Sequence, residues 1–304
     1  MTIAPADIEA ISLRFSRVRS ETEELARPLS AEDQTVQSMP DTSPTKWHRA
    51  HVTWFFETFV LAPFEFDFRP HHAAYGYLFN SYYEQVGSRF PRPQRGLVSR
   101  PGIAEVAAYR EAIDERMLAL ISSASPAVLA QIEPLIELGL HHEQQHQELL
   151  LMDIKHVLSL NPLEPAYRST APASADDPGP IRWVDVAGGV VPIGHPGAGA
   201  GFAFDNEGPR HDALLVPYRF ANRLITCGEW LDFMADDGYH RPEIWLSDGW
   251  HKRLAEGWES PLYWRQSSSG HRLHTLNGSR PLDRHEPVCH VSFYEADAYA
   301  TWAG

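Results

Sequence analysis

The run Leu140-His141-His142-Glu143-Gln144-Gln145-His146-Gln147-Glu148 sets His142 and His146 four residues apart. At ~100° per residue on a helix, their rings are offset by only ~40° with a rise of ~6 Å, so both can reach one ion. Leu135, Leu138, Leu149 and Leu150 share that side, which directs the pair toward an apolar interior. Two imidazoles there need a partner, and one metal ion satisfies both. His141, ~100° round the helix, reads as packing or surface. The same residues also spell His142-Glu143-x-x-His146, the zinc-protease pattern with Glu143 as general base. The longer form of that motif wants Gly at 149 and His at 152. The chain has Leu149 and Met152, and its downstream carboxylate, Glu164, lies between Pro162 and Pro165. A plain metal-binding pair is the stronger reading.

A third ligand is sought on another helix, because bundles build metal sites from inward-facing residues of different helices. Trp47, His51, Trp54, Phe55 and Thr58 fall on one helical face, so His51 is the candidate. His48 competes, three residues away and nearly on the same face. Three neutral nitrogens with open positions suit zinc or iron, and vacant sites suit Fe(II) with O2. The donor types leave the choice between the metals open.

The elements that would carry these residues are helical up to about residue 165. Ile8, Ile11, Phe15 and Val18 recur at helical spacing within a first helix, Ile8 to Leu25. Ser43-Pro44 reads as a helix start, with Ser able to cap and Pro favoured at the first helical position, before a helix from Thr45 to Leu61. Residues 62–102, rich in Pro, Gly and aromatics, form a long connection. A third helix spans Ile103 to Ser122. A fourth runs from Ala127 or Ile132 to Leu160, with Pro134 near its start or kinking it. Four such helices predict an antiparallel bundle. Glu164 to Pro180 has linker composition. Short strand-like pieces follow at Ile181–Val186, Val190–Ile193 and Leu214–Phe220, then Trp-rich irregular segments. The domain division is therefore 1–165 for a metal-binding helical bundle, 166–180 for a linker and 181–304 for a loop-rich α+β domain.

With 304 residues, 16 histidines, 9 tryptophans and a formal charge of −14, the composition is globular and acidic. An acidic surface disfavours a phosphate backbone, so nucleic acid is excluded as a partner. Arg89, Arg92, Arg95 and Arg100 cluster locally without a basic face, which is a pocket signal. No ~20-residue apolar run offers a membrane span, and no signal-peptide pattern opens the chain. Two cysteines, Cys227 and Cys289, are too few for a disulfide framework and fit a reducing cytoplasm.

Trp47-His48-Arg49-Ala50-His51-Val52-Thr53-Trp54-Phe55-Phe56-Glu57 and His142-Glu143-Gln144-Gln145-His146-Gln147-Glu148 resemble the two metal motifs of the ergothioneine-biosynthesis sulfoxide synthases, also called hercynine oxygenases. Asn80-Ser81-Tyr82-Tyr83-Glu84-Gln85-Val86-Gly87, followed by Phe90-Pro91-Arg92-Pro93-Gln94-Arg95-Gly96-Leu97, resembles a loop of one branch of that family. Phe204-Asp205-Asn206-Glu207, Trp245-Leu246-Ser247-Asp248-Gly249-Trp250, Pro261-Leu262-Tyr263-Trp264 and Pro287-Val288-Cys289-His290-Val291-Ser292 are similar to the formylglycine-generating-enzyme (sulfatase-modifying factor) domain. The resemblance implies a DinB-like four-helix bundle followed by a C-type-lectin-like domain. That domain normally continues past Ala296–Gly304, which read as a helix just beginning, so the chain reads as truncated within it.

Carried over by position, the resemblance implies that His51, His142 and His146 bind non-haem Fe(II). The implied reaction joins a thiol sulfur to the imidazole C2 of hercynine, using O2 and forming a sulfoxide. Tyr82 and Tyr83 would border the iron, one donating a proton or hydrogen bond toward reduced oxygen. Gln145 would contact the substrate imidazole, and Arg92, helped by Arg95, the carboxylate of the thiol. Residue chemistry agrees, since a Tyr hydroxyl stays protonated at neutral pH and an Arg fork fits a carboxylate. The thiol is cysteine or γ-glutamylcysteine, with the paired-tyrosine loop leaning to cysteine. Cys227 and Cys289 do not form the nearby pair of formylglycine generators, which leaves the second domain a structural and substrate-shaping part. Two other functions fit a His-bearing bundle: a metal-dependent thiol transferase or hydrolase, and a non-catalytic binding module.

Overall fold

The structure, a computed structural model, describes residues 5–81, 87–170, 174–197 and 199–304. It divides into two units, Met1–Ser169 with Thr275–Gly278, and Thr170–His274 with Ser279–Gly304.

In the first unit α1 (Pro5–Ala26), α2 (Thr45–Phe56), α5 (Ile103–Ser123) and α6 (Pro126–Ser159) form the bundle. Their apolar stripes converge on one core: Phe15 and Val18 from α1, Trp54 and Phe56 from α2, Tyr109, Ile113 and Met117 from α5, Ile132, Ile136 and Leu140 from α6. The N-terminus of α6 is capped by Ser125, whose hydroxyl accepts from the Val128 N–H at 3.3 Å. Pro134 sits inside this 34-residue helix, so the helix begins before the proline and continues through it. The expected cap of α2 is different. Pro44 holds the cap position with no side-chain cap, and the Ser43 hydroxyl instead accepts from Arg95 at 2.8 Å. Beyond Phe56 the helix widens into a π turn, Glu57–Leu61, and ends in α3 (Ala62–Phe64). The long connection contains α4 (Tyr75–Phe79) and a 3-10 turn, Arg92–Leu97.

A buried ionic cluster ties all four bundle helices together. Glu143 of α6, with no exposed surface, accepts from Arg19 at 2.8 Å, from Arg110 at 3.0 Å and from the Thr22 hydroxyl at 2.6 Å. Arg19 also donates to Asp114 on α5 and to the Thr53 hydroxyl on α2. Buried charges persist only when paired and hydrogen-bonded in this way.

The second unit holds small sheets and short helices. Strand β1 (Trp183–Val186) pairs antiparallel with β4 (Tyr218–Ala221), in register Trp183 with Ala221, and β2 (Gly189–Ile193) pairs antiparallel with β3 (His211–Leu215), in register Gly189 with Leu215. The single strand expected over Leu214–Phe220 is thus two strands, broken at Val216-Pro217, where proline removes a ladder donor. A third sheet has the order β5 (Trp264–Ser267), β6 (Gly270–Thr275), β7 (Gly278–Pro281). The Trp-rich stretches that looked irregular contain α7 (Cys227–Ala235), α8 (Ser247–Glu256) and α9 (Phe293–Ala303). Their aromatics build a separate core, in which Trp230 stacks on Tyr299 at 5.0 Å between centroids and 8° between planes. Cys227 is buried and Cys289 exposed, and the two are not joined in a disulfide. Among the described residues no helix is long and apolar enough to cross a membrane.

Candidate metal centre

His51 is 1% exposed and lies on α2 between two indoles. Its ring stacks on Trp47 at 4.6 Å and on Trp54 at 5.5 Å, and the Arg95 guanidinium lies over the Trp47 ring at 3.4 Å from the centroid. This stack fixes the plane of the imidazole. The Nδ1 of His51 lies 2.6 Å from the Phe79 carbonyl oxygen, which only accepts, so Nδ1 carries the proton and Nε2 is the bare nitrogen.

Across from it, α6 presents His142 and His146. The centroid of His51 is 5.0 Å from that of His142 and 4.6 Å from that of His146, and the latter two are 4.6 Å apart. One ligand nitrogen from each of the three rings lies within 4.8 Å of the others. Burial pushes the imidazoles away from their charged forms, His142 to about 4 and the other two well below the ordinary histidine value. Neighbouring imidazoles lower His51 and His146 further, as does Arg95. All three are neutral at pH 7, the state in which imidazole ligates a metal. His142 also buries an Nδ1 with no hydrogen-bond partner among the described residues. This donor set fits a transition-metal ion such as zinc or iron.

The competitor His48 is outside the triad. Its Nδ1 lies 2.8 Å from Nδ1 of His146 and its Nε2 2.9 Å from Asp153. The protease pattern is not realised either. Burial alone would raise the Glu143 carboxyl, but Arg19 and Arg110 outweigh it and hold Glu143 below its usual range. With its oxygens occupied by two guanidiniums and a hydroxyl in the bundle core, Glu143 has no access to a metal-activated water.

The triad opens into a cavity of about 430 Å³. Its wall includes Gln145, Leu149 and Asp153 from α6 and Ser81, Arg92 and Arg95 from the connection. The histidine pair therefore borders a cavity, and Leu149, expected to face an apolar interior, is exposed there. Arg95 is 4% exposed and donates to the hydroxyls of Ser43 and Ser81. Arg92 is held by the backbone carbonyl of Asp41. Arg89 donates to the Ser81 carbonyl at 2.6 Å. His141 bonds Arg14 at 3.0 Å, away from the triad. Tyr82 and Tyr83 lie outside the described residues.

Residues 14–150 match the DinB superfamily, and residues 172–304 match the sulfatase-modifying factor enzyme 1-like domain. The chain is 31% identical over 302 residues to a hercynine oxygenase of Mycobacterium tuberculosis, an alignment covering 97% of this chain and 66% of that protein. It is 33% identical over 168 residues to a hercynine oxygenase of Mycolicibacterium smegmatis, covering 55% of this chain and 38% of the relative. A third hercynine oxygenase, from Mycolicibacterium thermoresistibile, is 29% identical over 275 residues, covering 87% and 56%. The chain belongs to the hercynine oxygenase family. It spans between 38% and 66% of the length of these relatives.

Three features of this hercynine oxygenase family member escaped the reading of spacing. Gly139 lets α2 and α6 approach, because a Cβ there would meet Phe56 at 2.6 Å and Phe55 at 2.8 Å. Asp153 follows His146 by seven residues and so shares its helical stripe, a signal present in the sequence. The Trp47–Arg95 stack joins residues 48 positions apart, and no local pattern announces it.

Proposed function

We propose that the protein is a non-haem Fe(II)-dependent oxygenase of ergothioneine biosynthesis, joining a cysteine-type thiol to C2 of the hercynine imidazole with oxidation to the sulfoxide. The observation that carries this reading is the meeting of His51, His142 and His146 within 4.8 Å at the wall of a cavity. The names of the relatives support the choice of hercynine as substrate. Ferrous iron held by the three histidines would supply a site where O2 and a thiolate are brought together.

The chain's own residues would do the rest. The Nδ1 hydrogen bond of His51 presents Nε2 toward the other two rings. Arg95 and Arg92 would bind the carboxylate of the thiol substrate, with Arg95 the deeper of the two. Gln145, in the cavity wall one residue before His146, would hydrogen-bond the substrate imidazole. Tyr82 or Tyr83 would hold a proton for transfer at its hydroxyl.

The test is anaerobic loading of the full chain with Fe(II), then O2 uptake with hercynine and either cysteine or γ-glutamylcysteine, with the product identified by mass. Cysteine is the expected donor. His142→Ala should abolish metal retention and turnover together. Iron-loaded protein that consumes no O2 with either thiol would overturn the reading. A zinc-loaded protein acting on thiols without O2 would replace it with a metal-dependent thiol transferase or hydrolase.

A further inference from the structure

We propose that Asp153 and His48 form a positioning relay that holds His146 with its Nε2 bare and aimed at the metal. The inference rests on the metal reading above, and extends it to two residues outside the triad. Asp153 Oδ2 accepts from the backbone N–H of Ser43 at 2.8 Å and lies 2.9 Å from His48 Nε2. A carboxylate only accepts, so His48 Nε2 carries a proton. The second nitrogen of His48 faces Nδ1 of His146 at 2.8 Å. Two ring nitrogens at that distance need one donor and one acceptor. With His48 as acceptor, His146 Nδ1 donates and its Nε2 is left to ligate. The reverse assignment would put the proton of His146 on Nε2 and remove it as a ligand through that nitrogen.

The arrangement repeats, with different parts, what the Phe79 carbonyl does for His51. There a backbone carbonyl fixes the tautomer. Here an imidazole backed by a carboxylate does so, and places negative charge behind the ring, which strengthens the nitrogen as a donor. The relay spans two helices and a loop. Asp153 and His146 sit on one stripe of α6, His48 enters between them from α2, and Ser43 pins the carboxylate from the residue before Pro44. His48 is 3% exposed, so its orientation is set by these two bonds and by packing against Trp47 at 5.7 Å between centroids.

The test uses the full chain and Co(II) as probe, titrated under argon against a chelator. Asp153→Asn keeps the size of the side chain and removes its charge. His48→Ala removes the acceptor, and His48→Gln restores a carbonyl that can accept from His146. Asp153→Asn and His48→Ala should each weaken Co(II) binding by roughly 10–100-fold and shift its visible d–d bands. His48→Gln should recover part of both. Asp153→Asn should add nothing on a His48→Ala background, because it acts through His48. Wild-type affinity and spectrum in His48→Ala, or full additivity in the double variant, would overturn the relay. Where His48→Ala fails to fold, the same comparison is made between Asp153→Asn and His48→Gln. Nitrogen-15 correlation spectra of the metal-free wild type give a second, independent reading. They should show His146 as the Nδ1–H tautomer, and an Nε2–H tautomer would overturn the proposal. If the wild type binds no metal, the functional reading falls, while the tautomer still decides the relay.

Discussion

Gly139 on α6 backs onto the ring of Phe56 on α2, leaving 2.6 Å between Phe56 Cε1 and the place where a Cβ would sit. The contact lies three residues before His142 and five after His51, so it sets how closely the two ligand-bearing helices approach. Gly139→Ala must push Phe55 and Phe56 away. The expected cost is ~1–3 kcal/mol of stability, as for other overpacked cores. Because the shift separates α2 from α6, metal affinity should fall as well. Denaturant unfolding and Co(II) titration of the variant check both effects; a stability loss with unchanged metal affinity would show that the helix spacing at Gly139 does not reach the triad.

Glu143 predicts a loss of a different kind. Glu143→Gln leaves Arg19 and Arg110 facing each other in the core without their shared carboxylate. Removing one partner of such a buried cluster costs about 3–5 kcal/mol. The loss should appear equally in the metal-free protein, measured by unfolding in the presence of a chelator. A base acting on a metal-activated water would behave in the opposite way, with turnover lost and the unfolding midpoint unmoved.

In the second unit, Glu229 makes a pH-dependent contribution. Paired hydrogen bonds from Arg223 at 2.8 and 2.9 Å, opposed by partial burial and joined by the Thr226 N–H and hydroxyl, hold its carboxyl at about 2, below the ordinary 4.5. A carboxyl depressed on folding stabilises fully above its unfolded value and loses that stabilisation as pH falls through its folded value. The advantage of wild type over Glu229→Gln should therefore be constant above about pH 4.5 and shrink steadily toward pH 2. Urea midpoints of the two proteins across that range measure it. A difference that does not change with pH would mean that Glu229 acts through the shape of its cap on α7 alone.

The sequence displays some of these relationships and hides others for identifiable reasons. His142 and His146 share a helical face at a spacing of four, a local fact that survives any packing. Choosing His51 over His48 is not local, because three residues separate them and the answer depends on the register between α2 and α6, set by Gly139, Phe55 and Phe56. Glu143 fits the zinc-protease spacing, which Leu149 and Met152 already weaken, and its actual place in the core depends on Arg19 and Arg110, which come from two other helices. The bundle was legible because its helices are long enough to show a period. In the second unit α7, α8 and α9 have only 9, 10 and 11 residues, about three turns each, too few for an apolar period to stand out. Strands β3 and β4 look like one in the sequence, because Val216 and Pro217 interrupt the run too briefly to read as a turn.

Arg95 allows substrate binding and metal binding to be separated. Its guanidinium lies on Trp47, whose other neighbour in the stack is His51, and its charge lowers the basicity of both His51 and His146. A positive group so placed opposes a second cation. Removing it in Arg95→Gln should leave Co(II) affinity unchanged or higher. The same change removes the fork proposed to hold the thiol's carboxylate, an interaction worth ~1.5–3 kcal/mol for a charged hydrogen bond, or roughly 10- to 150-fold in KM for the thiol. Arg95→Lys keeps the charge but not the fork, and should recover only part of that loss. Metal titration beside O2 uptake at varied thiol concentration reads the two quantities separately. If Co(II) affinity and thiol KM worsen together in Arg95→Gln, Arg95 acts by bracing the Trp47–His51 stack, and the carboxylate must be held elsewhere.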